Sequence, residues 1–261
     1  MKLYWTLIRI AYLGKSYHGS QIQPNVETVG RILTEKLAEC GASNPQFASR
    51  TDKGVSAIAN VILTSSEMKS ELLAGKLTEK LSGHDVWING FCEVKEHFNP
   101  RKATSRLYRY LIYEDVDYKE FNKVIQIFKG KHNFENFAKK DKRNNPNPEL
   151  EIFSISVKKI RNGLACDIEG RSFLWHQIRT MIGATSDVCR GARTIKDIEK
   201  ALKGEHIYFT VSKPHFLTLL KVNYEDIHFE KLRTPREVIK KHKLVLAETA
   251  FWHNIVNYLE K

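Results

Sequence analysis

Four cysteines in 261 residues, at positions 40, 92, 166 and 189, are too few and too widely spaced for a disulfide framework or for paired zinc knuckles. The thiols are expected to be reduced and packed. No run is long and apolar enough to cross a bilayer, and the start Met1-Lys2-Leu3-Tyr4-Trp5-Thr6 has no apolar leader ending in a small-residue cleavage site. A cytoplasmic protein without membrane attachment is the expectation. Neither Gly-x-x-x-x-Gly-Lys-Ser/Thr nor Gly-x-Gly-x-x-Gly occurs, so the usual signals for a nucleotide cofactor are missing. No serine or cysteine stands in a recognisable nucleophile motif, and His176 and Cys189 form no metal motif with a neighbour. A hydrolase triad, a metal centre and any other cofactor are therefore not expected.

Positive charge is what the chain has in surplus. Its 42 Lys and Arg residues face 30 Asp and Glu, a formal +12 at pH 7, which suits the steering and binding of a polyanion through counterion release. With 42% hydrophobic residues the chain is long enough to bury one large core or two smaller ones without staples.

The first hundred residues read as strand, helix, strand, helix, strand. The strands are expected at 3–12, 57–63 and 87–94. Val26, Val29, Leu33 and Leu37 repeat at helical spacing over 26–40, and Leu72, Leu73 and Leu77 mark the buried side of a helix at 67–81. Beyond Phe98-Asn99-Pro100, a strand from Arg106 sends Tyr108, Tyr110 and Ile112 to one face and Leu107, Arg109 and Leu111 to the other. A helix at 119–129 turns Phe121, Val124, Ile125 and Phe128 inward, and 139–149 is a loop. Phe153, Ile155 and Val157 alternate as a strand whose hairpin partner, 164–168, follows across Asn162-Gly163. A long helix is expected from Leu174 to Val188, and a shorter one between Thr194, with Asp197 three residues on, and Gly204. The basic run 231–243 precedes an amphipathic helix at 249–259 with Trp252, Ile255, Val256 and Leu259 on one side. Mixed strands and helices without a doubly wound rhythm predict an α+β protein of two related halves, 1–100 and 101–261, the first carrying the candidate carboxylate.

That carboxylate is Asp52, in Ser49-Arg50-Thr51-Asp52-Lys53-Gly54, between two cations that favour its ionised form and beside a glycine able to close a tight turn. Asp-Lys-Gly by itself is as readily an ordinary turn. Tyr108 reads either as a packed sheet residue or as an aromatic platform for a base turned out of RNA. Arg179 lies one position past the face carrying Ile178, Met181 and Ile182. There it is placed to clamp a phosphate or to orient Asp52, or simply to meet solvent.

Together these segments resemble the tRNA pseudouridine synthases of the bacterial TruA type and their archaeal counterparts. The blocks that carry the resemblance are Tyr17-His18-Gly19-Ser20-Gln21, Arg50-Thr51-Asp52-Lys53-Gly54-Val55, Pro100-Arg101-Lys102-Ala103 leading into Tyr108-Arg109-Tyr110, His132-Asn133-Phe134-Glu135-Asn136-Phe137, and Phe173 through Gly183. They occur in family order. The resemblance implies two ferredoxin-like halves joined through a central, mostly antiparallel sheet, and a homodimer acting on tRNA without metal or cofactor. Its target is a flipped uridine at positions 38 to 40 of the anticodon stem-loop. It also implies Asp52 as catalytic carboxylate and Arg50, Tyr108 and Arg179 as active-site support; Lys53, Arg101, Lys102, Arg109, Arg171 and His176 are the RNA-binding candidates among the nearby basic residues. A tRNA-binding protein that kept the fold and lost catalysis is the alternative. The chain departs from the family pattern at Ser20, where bacterial members usually have tryptophan, at Ile22, and at His215-Phe216.

Overall fold

The computed structural model describes residues 2–140 and 146–240. The expected helix at 249–259 lies outside them, as do parts of the loop 139–149 and of the basic run 231–243.

The first half runs β1 (Tyr4–Tyr12), α1 (Val29–Glu39), β2 (Gln46–Phe47), β3 (Ser56–Ser66), α2 (Ser70–Lys80) and β4 (Val86–Val94). Its strands lie in the order β4-β1-β3, with β2 on the far end of β3. The second half repeats the scheme with β5 (Ser105–Ile112), α3 (Tyr118–Ile125), β6 (Gly130–Asn133), β7 (Glu149–Ile160), β8 (Gly163–Gly170), α4 (Gln177–Cys189), α5 (Ile195–Leu202) and β9 (Leu217–Asn223). Its order is β9-β5-β8-β7-β6. Both are the fourth-first-third-second arrangement of a ferredoxin-like unit, β6 being an addition at the edge. A short β10 (Glu230–Lys231) returns to pair with β4.

The halves join into a ten-stranded sheet at the seam between β3 and β9. There β3 and β9 pair in parallel at Ser56–Thr218 and Ala57–Leu219, while the other pairings between described strands are antiparallel. Asp52 stands just before β3, and the 3-10 turn Pro214–Phe216 just before β9, so the seam gathers loops from both halves. The sheet's helix-covered face is the core. Helix α3 buries Phe121, Val124 and Ile125 as its spacing requires, each contributing about 1.5–3 kcal/mol by leaving water.

Several expectations change. Leu72 points to solvent at 61% exposure, and Ser70, Leu73, Ala74 and Leu77 make the buried face of α2. An irregularity between Ile152 and Ser154 in β7 turns Ile152 inward and leaves Phe153 exposed beside the buried Ile155 and Val157. The hairpin turn is Arg161-Asn162, with Gly163 already paired to Ile160. Strands β6 and β9 carry no regular alternation that betrayed them in the sequence. Helix α5 is capped as expected: the Thr194 hydroxyl accepts from Asp197 N–H, and the Asp197 carboxylate accepts from Thr194 N–H. The most consequential change is α4, which starts at Gln177 rather than Leu174 because His176 adopts left-handed angles, φ 69°. The four cysteines are free thiols, Cys40 and Cys166 buried and the other two half-buried.

Candidate active site

The carboxylate loop is fixed from several sides before any side chain reaches into the cleft. Val55 N–H donates to Asp52 O at 3.1 Å, closing a turn in which Gly54 takes φ 85°. Ser20, fully buried, bonds Thr51 both ways: its N–H donates to Thr51 O at 3.1 Å and its hydroxyl accepts from Thr51 N–H at 2.8 Å. A tryptophan here has no side-chain oxygen with which to accept that N–H, so the departure at Ser20 has its own structural use. Gly19 lies so close that a Cβ would sit 2.8 Å from Thr51 O. On the other side of the loop, Tyr12 and Thr51 share a buried hydroxyl contact at 2.8 Å, and Asn60 Nδ2 donates to Ser49 O at 2.9 Å.

Into this loop the second half sends the segment before α4. Trp175 Nε1 donates to Asp52 Oδ1 at 2.8 Å, and Arg179 Nη1 donates to Oδ2 at 3.0 Å. His176 Nε2 approaches Oδ2 at 3.5 Å. The Arg179 Nε donates to Ser212 O at 2.8 Å, and Ser212 N–H returns a bond to Arg179 O, so this guanidinium is held while it holds Asp52. Close approach of Gly183 to Thr210, whose carbonyl would lie 1.8 Å from any Cβ, lets the 210–212 segment run against α4. Of the candidate support, Arg179 therefore touches the carboxylate.

Arg50 does not. It is exposed and lines a groove with Gln21, Phe47, Phe98 and Arg101, and it forms no ion pair with Asp52. Lys53, at the turn's tip, is exposed, as are Lys102 and Arg171. Arg109 stands apart on the opposite face of β5, its fork filled by Asp167 at 2.7 and 2.8 Å. Tyr108 is only 7% exposed, its ring edge-on to Phe173 at 5.3 Å. The aromatic surface open to a ligand belongs instead to Trp175, 43% exposed and covered on one side by the Lys139 ammonium 4.4 Å from its centroid. Burial pushes the Tyr108 phenol up to about 12, with the Asp52 charge adding and Arg106 and a Ser49 hydrogen bond opposing. It carries its proton at neutral pH.

Burial likewise lowers the His176 pKa, with Arg179 and Lys139 adding to the effect and Asp52 opposing it. At pH 7 the imidazole is neutral, and its approach to Asp52 is not an ion pair. Because the folded state resists protonating this ring, the stability it contributes is present above the ordinary value of 6.5 and is lost as pH falls below it. Melting temperature should thus decline from pH 6.5 toward 5 less steeply in His176→Gln than in wild type; equal slopes would show that the ring titrates freely.

Two residues of the site escaped the sequence reading. Trp175 falls within the helix expected from Leu174, whereas it lies outside α4, and no local spacing rule pairs it with Arg179. Arg106 is 7% exposed and stands two residues before Tyr108 on the same face of β5. Its Nε donates to Ser49 Oγ at 2.8 Å and its Nη2 to Ala48 O at 3.0 Å and Arg101 O at 2.9 Å; Nη1 donates to Arg171 O. Extending the β5 alternation back by one step would have put a buried arginine there. Among the described residues no group of three or more His, Cys, Asp or Glu side chains is placed to hold a metal ion, and no helix is long and apolar enough to span a membrane.

A family model described as tRNA pseudouridine synthase matches residues 124–225. The tRNA pseudouridine synthase A of Thermococcus onnurineus is 35% identical over 233 residues, covering 85% of each chain. That of Archaeoglobus fulgidus is 34% identical over 229 residues, covering 85% of this chain and 84% of its own. The Pyrococcus furiosus protein is 32% identical over 267 residues and covers 95% of this chain and 96% of its own. Since this likeness runs through both halves and the loops that meet at Asp52, the chain belongs to the tRNA pseudouridine synthase family.

Proposed function

We propose that this protein isomerises uridine to pseudouridine in the anticodon stem-loop of tRNA, at positions 38 to 40, with Asp52 as the catalytic carboxylate. The observation that carries the reading is the convergence of Trp175, His176 and Arg179 from one half on Asp52 from the other. A turn that existed only to reverse the chain would not need three side chains from a separate unit.

The reaction breaks the bond between ribose C1′ and uracil N1, turns the base, and joins C1′ to C5. Both bonds are hidden in a stacked helix, so the target nucleotide must leave the stack. Asp52 then either attacks C1′ or helps remove a sugar proton. Arg179 holds and aims the carboxylate, and Trp175 fixes its other oxygen and offers an aromatic face at the mouth of the site. Tyr108 borders the uracil as a protonated phenol, able to donate a hydrogen bond to it. Exposed Lys53, Arg101, Lys102 and Arg171 supply phosphate contacts around the cleft. The homodimeric state implied by the resemblance and the cytoplasmic location expected from the sequence belong to the same reading.

The test is release of label from C5 of uridine in tRNA transcripts, followed by mapping of the modified positions. Release in proportion to pseudouridine at 38, 39 or 40 is expected. Release confined to uridines elsewhere would overturn the assignment of the target, and no release from any tRNA would overturn the reaction.

A further inference from the structure

The exposed Arg50 is placed next to the reacting loop and yet faces away from the carboxylate. It lies instead along an open groove of about 630 Å³ running between residues 45–50 and 96–101, where Arg101 forms the facing wall. That volume lies within the range of small-ligand sites and is enough for one nucleotide. Phe47 and Phe98, both half-buried, line it with Gln21 and Asn99, and one carboxylate, Glu96, stands in the same lining against the two arginines. Cations, aromatic rings and amide side chains at this density are the makings of a single-stranded nucleic-acid site, in which phosphates meet arginine and bases stack.

The groove is built rather than incidental. Buried Arg106 bonds Ala48 O and Ser49 Oγ on one wall and Arg101 O on the other, so a single guanidinium sets their separation. Arg101 N–H also donates to Asn99 Oδ1 at 2.9 Å. The backbone on either side of Arg50 is held as well, Ser49 O by Asn60 and Thr51 N–H by Ser20. Among the described residues neither Arg50 nor Arg101 is in an ion pair, so both exposed guanidinium groups are open to an anion from outside the chain.

We propose that this groove is a nucleotide subsite that receives the nucleotide adjoining the target, with its phosphate on Arg50 and Arg101 and its base against Phe98 and Phe47. Arg50 and Asp52 are two positions apart on one loop, so the groove that Arg50 lines begins beside the carboxylate. The proposal rests on the reading of Asp52 as the carboxylate that meets the target nucleotide.

The experiment pairs protein and RNA changes. Affinity for tRNA transcripts carrying one abasic nucleotide, scanned through the anticodon stem-loop, is measured for wild type, Phe98→Leu and Phe47→Leu. In wild type, the abasic change at one position beside the target should weaken binding about 10-fold, the range of one stacked base. In the leucine variants that same position should cost almost nothing further, while other positions keep their full effects. Arg50→Gln and Arg101→Gln should each reduce the slope of log affinity against log salt by about 0.7 to 0.9. Effects that simply multiply at every position, with unchanged salt slopes, would overturn the subsite. Release of C5 label by wild type on unsubstituted tRNA is read separately, so a failed subsite with intact release leaves the functional reading standing. Failed release overturns that reading, whatever the affinities show.

Discussion

Asp52→Ala should lower single-turnover conversion of uridine to pseudouridine by about 10⁴-fold or more, the scale on which enzymes lose rate when a nucleophile is removed. Binding of tRNA should change by only a few-fold. The reason is geometric: the contacts available to RNA lie in the exposed cations around the cleft, whereas Asp52 spends its oxygens on Trp175, Arg179 and His176. Removing it leaves Arg179 bonded to Ser212, so the guanidinium keeps one of its two anchors. Asp52→Asn is the closer test, because it keeps the shape and loses the charge, and it should be equally inactive. Conversion by either variant within 10-fold of wild type would mean that another group does the chemistry. Inactivity of the wild type with tight tRNA binding would instead favour a fold that lost catalysis.

Arg106→Leu should be the most damaging substitution for stability outside the hydrophobic core. Four acceptors on three chain segments, Ala48 O, Ser49 Oγ, Arg101 O and Arg171 O, lose their donor at once. Leaving buried polar groups unmatched costs about 1–3 kcal/mol each, and part of this is recovered by relaxation and water, so a loss of roughly 3–5 kcal/mol is expected. For a chain of this length that is on the order of 10 °C in melting temperature. Arg106→Lys should fall between, since an ammonium carries the charge without the planar fork that reaches both walls. A melting temperature for Arg106→Leu within 2 °C of wild type would show that the guanidinium is not the strut the structure makes it.

What could be read from the chain depended on how local the cause was. Phe121, Val124, Ile125 and Phe128 announced α3 because a helix repeats within a few residues, and Thr194 with Asp197 announced α5 because a cap is made by neighbours. The alternation through Tyr108, Tyr110 and Ile112 set the faces of β5 for the same reason. Leu72 was misplaced because Ser70 takes an inward position on α2, its hydroxyl meeting Thr6 at 2.8 Å from β1, a partner far away in sequence. Strand β9 was missed because its cause lies in the strands it joins, β3 and β5, rather than in its own pattern.

The same division runs through the site. The sequence alone determined the class of fold, the basic surface suited to a polyanion, and, through its ordered motifs, Asp52, Tyr108 and Arg179 as the residues to examine. Tertiary structure decided which of them meet. It turned Arg50 outward and closed Arg109 on Asp167, and it brought Trp175 onto the carboxylate by stopping α4 at a left-handed His176. The physical reason is that side chains 123 and 127 residues apart, Trp175 and Arg179 from Asp52, are joined by no local rule. The parallel seam of β3 and β9 and the Arg106 bonds to Ser49 and Arg171 bring the two loops together.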